Sequence, residues 1–445
     1  MNPNEELLKQ IFNRQGQSLQ IEQDKKYEKL GLKFNPFPRS GTTNINSSDL
    51  YNQNLIPVDD KVKSQVVNFI SHALNDNHVN KEDKFISATI TGNYGSGKTQ
   101  LLMFVKYLLG EVAVMHGQQK NPYVIYIDNP GVKLLEFIGS IISRIGEENF
   151  KKFIWSKIID LIKNSTELKT QLQKFQVTGT QLFSDFNPDP FSDENSVSYK
   201  KFLDAFVRQI SSPKQRKTFD DTFKSILIKV LGIEVKDTIL AQYFYDLISD
   251  DYGVNKTWEA LSSGSIKQLD KKEADIIRYI VRLIKEQGYT DFFILVDEFE
   301  DITEGRLTKV QVDNYVYNLR TLLDEHREWC LMFAMTGQAL KKLRSVSPPL
   351  ADRITNRLIN LQDLNTAEAK KITANFLSLA KENNINTIIP FEESGIEELN
   401  KQVEGNARKF LKNCYFMVEK ALEQKAKNTT INKKFIDTYY SKESI

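Results

Sequence analysis

The sequence predicts an α/β protein: a parallel five-stranded sheet around a phosphate loop, a large helical insertion, and an all-α C-terminal domain. Three observations carry that prediction. Short, fully apolar runs alternate with helical patterns, as expected for strands covered by helices on both faces. One run leads into Gly92-Asn-Tyr-Gly-Ser-Gly-Lys-Thr99, which fits G-x-x-x-x-G-K-[ST] at every fixed position. Another, Asp291-Phe-Phe-Ile-Leu-Val296, ends on Asp297-Glu298, so a buried strand delivers two carboxylates at its C-terminal tip.

The elements follow in order. Residues 1 to about 30 are polar, with a helical pattern around Leu7, Leu8 and Ile11. Pro36 and Pro38 bar a helix from Tyr27–Pro38. Leu55–Asp60 leads into a helix whose apolar face is Val62, Val66, Val67, Phe69 and Ile70. The expected strands are Phe85–Thr91, Tyr123–Ile127, Phe292–Val296, Cys330–Met335 and, more weakly, Leu358–Leu361, with helices such as Gln100–Leu109 and Val132–Ile145 between them.

The interval between the second and third strands is too long for one crossover. It holds helical stretches at Phe153–Ile162, Tyr199–Ile210, Phe223–Leu231 and Thr238–Leu247, and a polar loop around Asn187-Pro-Asp-Pro190. Its charges balance, and its aromatics recur at helical spacing, which reads as core rather than a base-stacking surface. After the last strand, Thr366 is the expected N-cap of a helix, followed by helices around Glu393–Gln402 and Ala407–Leu422. The expected organisation is 1–54, an N-terminal helical and extended segment; 55–150, the first part of the core; 151–270, the insertion; 271–364, the second part of the core; and 365–445, the helical lid domain.

Composition narrows the function classes. The 445 residues suffice for two or three domains, and 60 basic against 58 acidic residues give no push toward nucleic acid or a membrane surface. Cys330 and Cys414 sit in apolar surroundings outside any C-x-x-C pair, so they read as reduced, buried thiols. His72, His78, His116 and His326 are scattered and suggest no metal site. The N-terminus has no basic-then-apolar leader pattern and no run approaches a membrane span, so the expectation is a cytoplasmic protein with no membrane partner.

Each part of the loop has a chemical task. Gly92, Gly95 and Gly97 let the backbone curl so that its N–H groups point inward, and the helix starting near Lys98 adds its positive end. Asn93, Tyr94, Ser96 and Gln100 complete the expected nucleotide-binding stretch. Lys98 is placed to reach the β- and γ-phosphates and the Thr99 hydroxyl to bind Mg²⁺. Asp297 would hold the Mg²⁺ shell and Glu298 would polarise the attacking water, which points to ATP hydrolysis. A GTP base reader is missing: Asn255-Lys-Thr-Trp258 lacks the acid, and no Leu-Ser-Gly-Gly signature is present.

At these residues the chain resembles the AAA+ ATPases, in particular the replication-initiator (origin-recognition) clade and its bacterial transposition- and defence-associated relatives. Met335-Thr-Gly-Gln338 is similar to the strand end where the family places a γ-phosphate sensor, which implies Thr336, or alternatively Gln338. Pro348–Leu358 is similar to the segment that supplies an arginine finger to a neighbouring subunit, with Arg353 and Arg357 both eligible. Gly405-Asn-Ala-Arg-Lys-Phe-Leu411 resembles the second sensor, which implies Arg408. Gly31–Phe37 resembles an approach segment that lies near the adenine in secretion- and transposition-associated members.

The resemblance implies ATP and Mg²⁺ as cofactors and a homo-oligomeric ring or filament. It also implies action with DNA or an effector protein in mobile-element, replication or anti-phage defence settings. The alternative is an interaction switch that regulates an effector without touching DNA. The helical insertion departs from the family pattern. So does the absence of a winged helix after the lid, which weighs against sequence-specific origin binding.

Overall fold

The computed structural model describes residues 25–41, 57, 59–74, 86–116, 120–166, 176–177, 180–181, 198–207, 210, 212–249, 273–304, 307–325, 329–381, 387–424 and 429–440. The expected N-terminal helix at Leu7–Ile11, the loop at Asn187–Pro190 and the Asn255–Trp258 stretch lie outside the described residues. The fold class is the expected one, α/β on a five-stranded parallel sheet. Its strands are β1 (Ile86–Thr91), β2 (Pro122–Ile127), β3 (Asp291–Val296), β4 (Cys330–Met335) and β5 (Leu358–Asn360), in the order β2-β3-β4-β1-β5.

The strands form where every side chain can be buried. Each residue of β1, β3 and β4 is buried, so neither face meets water. On one face Ile86, Ala88 and Ile90 of β1, Phe293 and Leu295 of β3, and Met332 and Ala334 of β4 form a core cluster. Helices α1 (Asp60–Ala73) and α2 (Lys98–His116) cover it, through Val66, Phe69, Leu102 and Val105 among others. β1 carries two buried polar side chains, and both are satisfied: the Ser87 hydroxyl donates to the Arg353 carbonyl, and that of Thr89 to the Ile354 carbonyl at 2.7 Å.

Clustering of contacts divides the chain into two compact units. The first comprises 1–129, 293–308 and 330–445, and therefore holds the sheet and the C-terminal helices. The second, 130–292 with 309–329, has a core of its own. It contains α3 (Leu134–Ile145), α4 (Glu147–Asn164), α5 (Tyr199–Val207), α6 (Pro213–Val235), α7 (Thr238–Ile248) and α8 (Glu273–Glu286), and a two-stranded ribbon pairs Gln176–Val177 with Thr180–Gln181. Trp155 packs on Tyr199 and Phe202, and Phe202 and Phe219 both stack on Phe223. These rings are buried, which is the core role their helical spacing suggested.

In the first unit a second cluster is built by α13 (Thr366–Leu379), α14 (Glu393–Gln402) and α15 (Ala407–Glu423), with α16 (Lys433–Tyr439) beside them. The N-cap of α13 is Asn365, not the expected Thr366. Only from Asn365 is Glu368 the third helical residue, so only Asn365 can close a capping box with it. The 27–37 segment, which against expectation opens on a short 3₁₀ helix (Lys25–Leu30) ahead of the two prolines, joins this cluster: Phe37 stacks on Phe376 at 5.6 Å and meets Phe391 edge-on. The Tyr27 hydroxyl donates to Glu419 at 2.7 Å, and burial together with that carboxylate pushes its pKa up to about 12. Cys330 and Cys414 are both buried. Among the described residues, no helix is long and apolar enough to cross a membrane.

Phe37→Ala empties a fully buried ring site between Phe376 and Phe391, so it should cost about 3–5 kcal/mol. Urea denaturation followed by circular dichroism measures this. A loss under about 1 kcal/mol would mean that the segment only lies on the helices.

Candidate functional site

In a parallel sheet all C-terminal strand tips share one edge, and the sequence places its chemistry there. β1 runs into the 92–99 loop, β3 into Asp297-Glu298, and β4 into Thr336. Gly95 and Gly97 hold φ of +79° and +98°, a left-handed backbone that side-chain-bearing residues rarely adopt. They allow the loop to double back before α2 begins at Lys98.

Lys98 folds over the loop it terminates. Its Nζ donates to the Gly92 carbonyl at 3.3 Å and the Asn93 carbonyl at 3.4 Å. The same nitrogen lies 5.3 Å from the Tyr94 ring centroid and 3.7 Å from Glu300 Oε1. The side chain is only 8% exposed, so this ammonium is a nearly buried charge.

The acidic side of the site is built on β3. Asp297 is buried; the Tyr126 hydroxyl donates to its Oδ2 at 3.0 Å, and the Glu298 N–H donates to its Oδ1 at 3.0 Å. Burial first, then the Asp297 carboxylate, raises the pKa of the Tyr126 hydroxyl, which keeps it a donor. Glu298 adopts φ +49°, a strained turn that directs the chain from β3 into α9 (Glu300–Glu304). Its carboxyl is raised above the ordinary range by partial burial and by Asp297; Lys98 and, more weakly, Arg408 oppose the shift. One acidic residue escaped the sequence reading: Glu300 is buried beside Lys98, and its pKa is driven up to about 7 mainly by burial.

Thr336 stands at the same edge as the N-cap of α11 (Gly337–Val346). Its hydroxyl accepts from the Ala339 N–H at 3.0 Å and donates to Glu304 Oε1 at 3.2 Å. Gln338 is exposed.

The C-terminal helices reach the loop directly. The Arg408 N–H donates to the Gly95 carbonyl at 3.0 Å. Asn406, the N-cap of α15, accepts from the Lys409 N–H with its Oδ1 and donates from Nδ2 to the Tyr94 carbonyl at 2.7 Å. Asn93 Nδ2 donates to Asp363 at 3.3 Å. Asn406 thus caps the start of α15 and ties it to the loop. Asn406 was not among the expected site residues, although Asn before Ala407-Arg-Lys is a recognisable cap signal.

Beside the loop opens a cleft of about 100 Å³. Its lining brings Ser96 and Gln100 from the loop and α2 together with Leu361, Ile372, Phe376 and Leu411. No residue of the 27–37 segment lines the cleft; Phe37 stacks on Phe376, which does.

Two expected residues are not brought to this site. Arg353, on α12 (Pro348–Ile354), and Arg357 lie along β1 at Ser87 and Thr89, with the Thr89 N–H donating to the Arg357 carbonyl at 2.8 Å. At roughly 3.3 Å per strand residue, their backbones sit about 10–16 Å back from Gly92.

No protein-family model matches the chain, and no curated protein matches it. Among solved structures it is similar to the Aeropyrum pernix ORC2 protein in ADPNP–ADP complexes, with 13% identity and a TM-score of 0.43 over 90% of this chain and 72% of that one. The site's chemistry follows from its own geometry.

A Cβ on Gly95 would lie 2.7 Å from Asn406 Oδ1 and 3.0 Å from Arg408 Cβ, in a left-handed backbone. Gly95→Ala should therefore loosen the loop from α15. Amide hydrogen exchange at Arg408 should accelerate at least about tenfold, and an unchanged rate would count against the contact.

Proposed function

We propose that the protein binds and hydrolyses ATP as an AAA+-type switch, assembling with itself and acting with DNA or an effector protein. The observation that carries this reading is the meeting of a glycine-rich loop, its lysine and a carboxylate pair at one sheet edge, beside an open, largely apolar cleft. The triphosphate would lie on the loop N–H groups and the start of α2, with Lys98 on the β/γ-phosphates. The base would occupy the apolar cleft between Leu361 and Phe376.

The donor set suits Mg²⁺. Among the described residues no group of three or more His, Cys, Asp and Glu side chains could hold a metal, so the ion would rely on phosphate oxygens and water. Asp297 and the Thr99 hydroxyl would supply the protein ligands. Bound there, Mg²⁺ would neutralise charge on the phosphates. Glu298 is the residue assigned to orient and deprotonate water, and its raised carboxyl suits a base. Arg408, whose backbone N–H bonds the loop, is assigned to report the loss of a γ-phosphate to α15, and Thr336 is assigned to sense the same group. Arg353 and Arg357, set back from the loop of their own chain, are assigned to a neighbouring protomer's site.

Calorimetry and phosphate release test this reading. Lys98→Ala should weaken ATP binding by about two orders of magnitude or more. Glu298→Gln should keep ATP binding but lower turnover by about 10²-fold or more. Normal turnover in Glu298→Gln would remove that residue from the chemistry. Turnover per protomer should fall on dilution if an arginine acts in trans; a flat profile contradicts that role. DNA contact through phosphates would give binding that weakens steeply with salt, whereas stimulation by a protein alone would favour the effector reading.

A further inference from the structure

Glu300 is the charged group whose place packing alone does not explain. Its side chain is 3% exposed, and neither carboxyl oxygen has a hydrogen-bond partner among the described residues. An apolar side chain of similar size would fill the position at lower cost. The cation it faces is Lys98, and the Nζ–Oε1 distance of 3.7 Å is well beyond the 2.7–2.9 Å of a hydrogen-bonded ion pair. Lys98 is thus held by several loose ligands: two loop carbonyls beyond 3.2 Å, the Tyr94 ring and this carboxylate.

We propose that Glu300 is a positioning residue that holds Lys98 over the loop and yields it to the phosphates when a triphosphate binds. The proposal rests on the nucleotide reading above and adds a competitor to it. The grip is loose enough to release, yet it keeps a buried ammonium from standing without a counter-charge.

Release has a consequence for protons. Burial drives the Glu300 carboxyl up to about 7. Of the groups facing it, its own backbone N–H and then Lys98 on α2 oppose the shift, Glu298 and Asp297 at the end of β3 add to it, and the Tyr94 hydroxyl on the loop is itself raised by burial and then by Glu300. When Lys98 turns to the phosphates, Glu300 loses its cation and gains anionic neighbours, so its proton affinity rises further. At pH 8 the carboxyl is mostly ionised before binding and takes up a proton from solvent on binding. The protonated group is neutral and better suited to its buried site.

The test is titration calorimetry with ATP in EDTA at pH 8, repeated in two buffers of different ionisation enthalpy, on the unmodified protein and on Glu300→Gln. Adenosine serves as the phosphate-free control. The unmodified protein should take up more protons per ATP than the variant. The variant should also bind ATP about tenfold more tightly with adenosine affinity unchanged, because its neutral amide no longer competes for Lys98. Equal proton counts in the two proteins overturn the proposal, as does an ATP affinity in the variant no higher than in the parent. The proton count on the folded parent also guards against a variant that fails to fold, because proton-neutral ATP binding by the parent is itself contradictory. If the parent binds neither ATP nor adenosine, the nucleotide reading falls first and this proposal falls with it.

Discussion

The nearly buried ammonium of Lys98 is the constraint around which the first unit is arranged. A charge with so little solvent access needs counter-groups at short range. The loop meets this need with the Gly92 and Asn93 carbonyls and the Tyr94 ring, and α9 meets it with Glu300. Each of these groups is fixed by a different element: the end of β1, the glycine turn, and the helix after β3. Their meeting point is therefore also the point that a triphosphate would have to reorganise.

The sheet makes that meeting possible. Its strands are parallel and apolar, so they can be buried on both faces while every tip emerges at one edge. The polar groups collect there because they have nowhere to go within the sheet. The two polar side chains inside β1, Ser87 and Thr89, are tolerated because backbone carbonyls at Arg353 and Ile354 accept from them. The same bonds hold the arginine-bearing segment against the strand, away from the loop. The C-terminal helices close the arrangement from the other side, with Asn406 and the Arg408 amide on the loop backbone. A change in loop conformation would therefore be transmitted to α15 through one main-chain bond and one short side-chain bond to the loop backbone.

Much of this was legible in the sequence, and the reasons are physical. The strands could be read because burial on both faces demands unbroken apolar runs: Cys330–Met335 was found to the residue, and β3 within one. The loop could be read because its glycines and lysine have few alternatives at that spacing. Helix starts were less secure. α4 begins at Glu147, after the break at Gly146, rather than near Phe153, and α6 begins at Pro213 rather than near Phe223, because polar first turns hide the helical period. Asn365 displaced Thr366 as a cap because a box needs its Glu at a fixed offset. Glu300 was invisible as a buried group, since a carboxylate three residues beyond Asp297 reads as solvent-facing until the fold encloses it. Asn406 was missed because its partner, the Tyr94 carbonyl, is more than three hundred residues away.

The central claim is that one set of backbone groups, the 92–100 loop and the start of α15, responds together to a nucleoside triphosphate. Hydrogen exchange read by mass spectrometry, with and without ATP and Mg²⁺, tests it most directly. The account predicts that exchange slows in peptides covering the loop and in those covering Asn406–Leu411, with the same dependence on ATP concentration. Slowing at α15 without any at the loop, or no change at either, would contradict it.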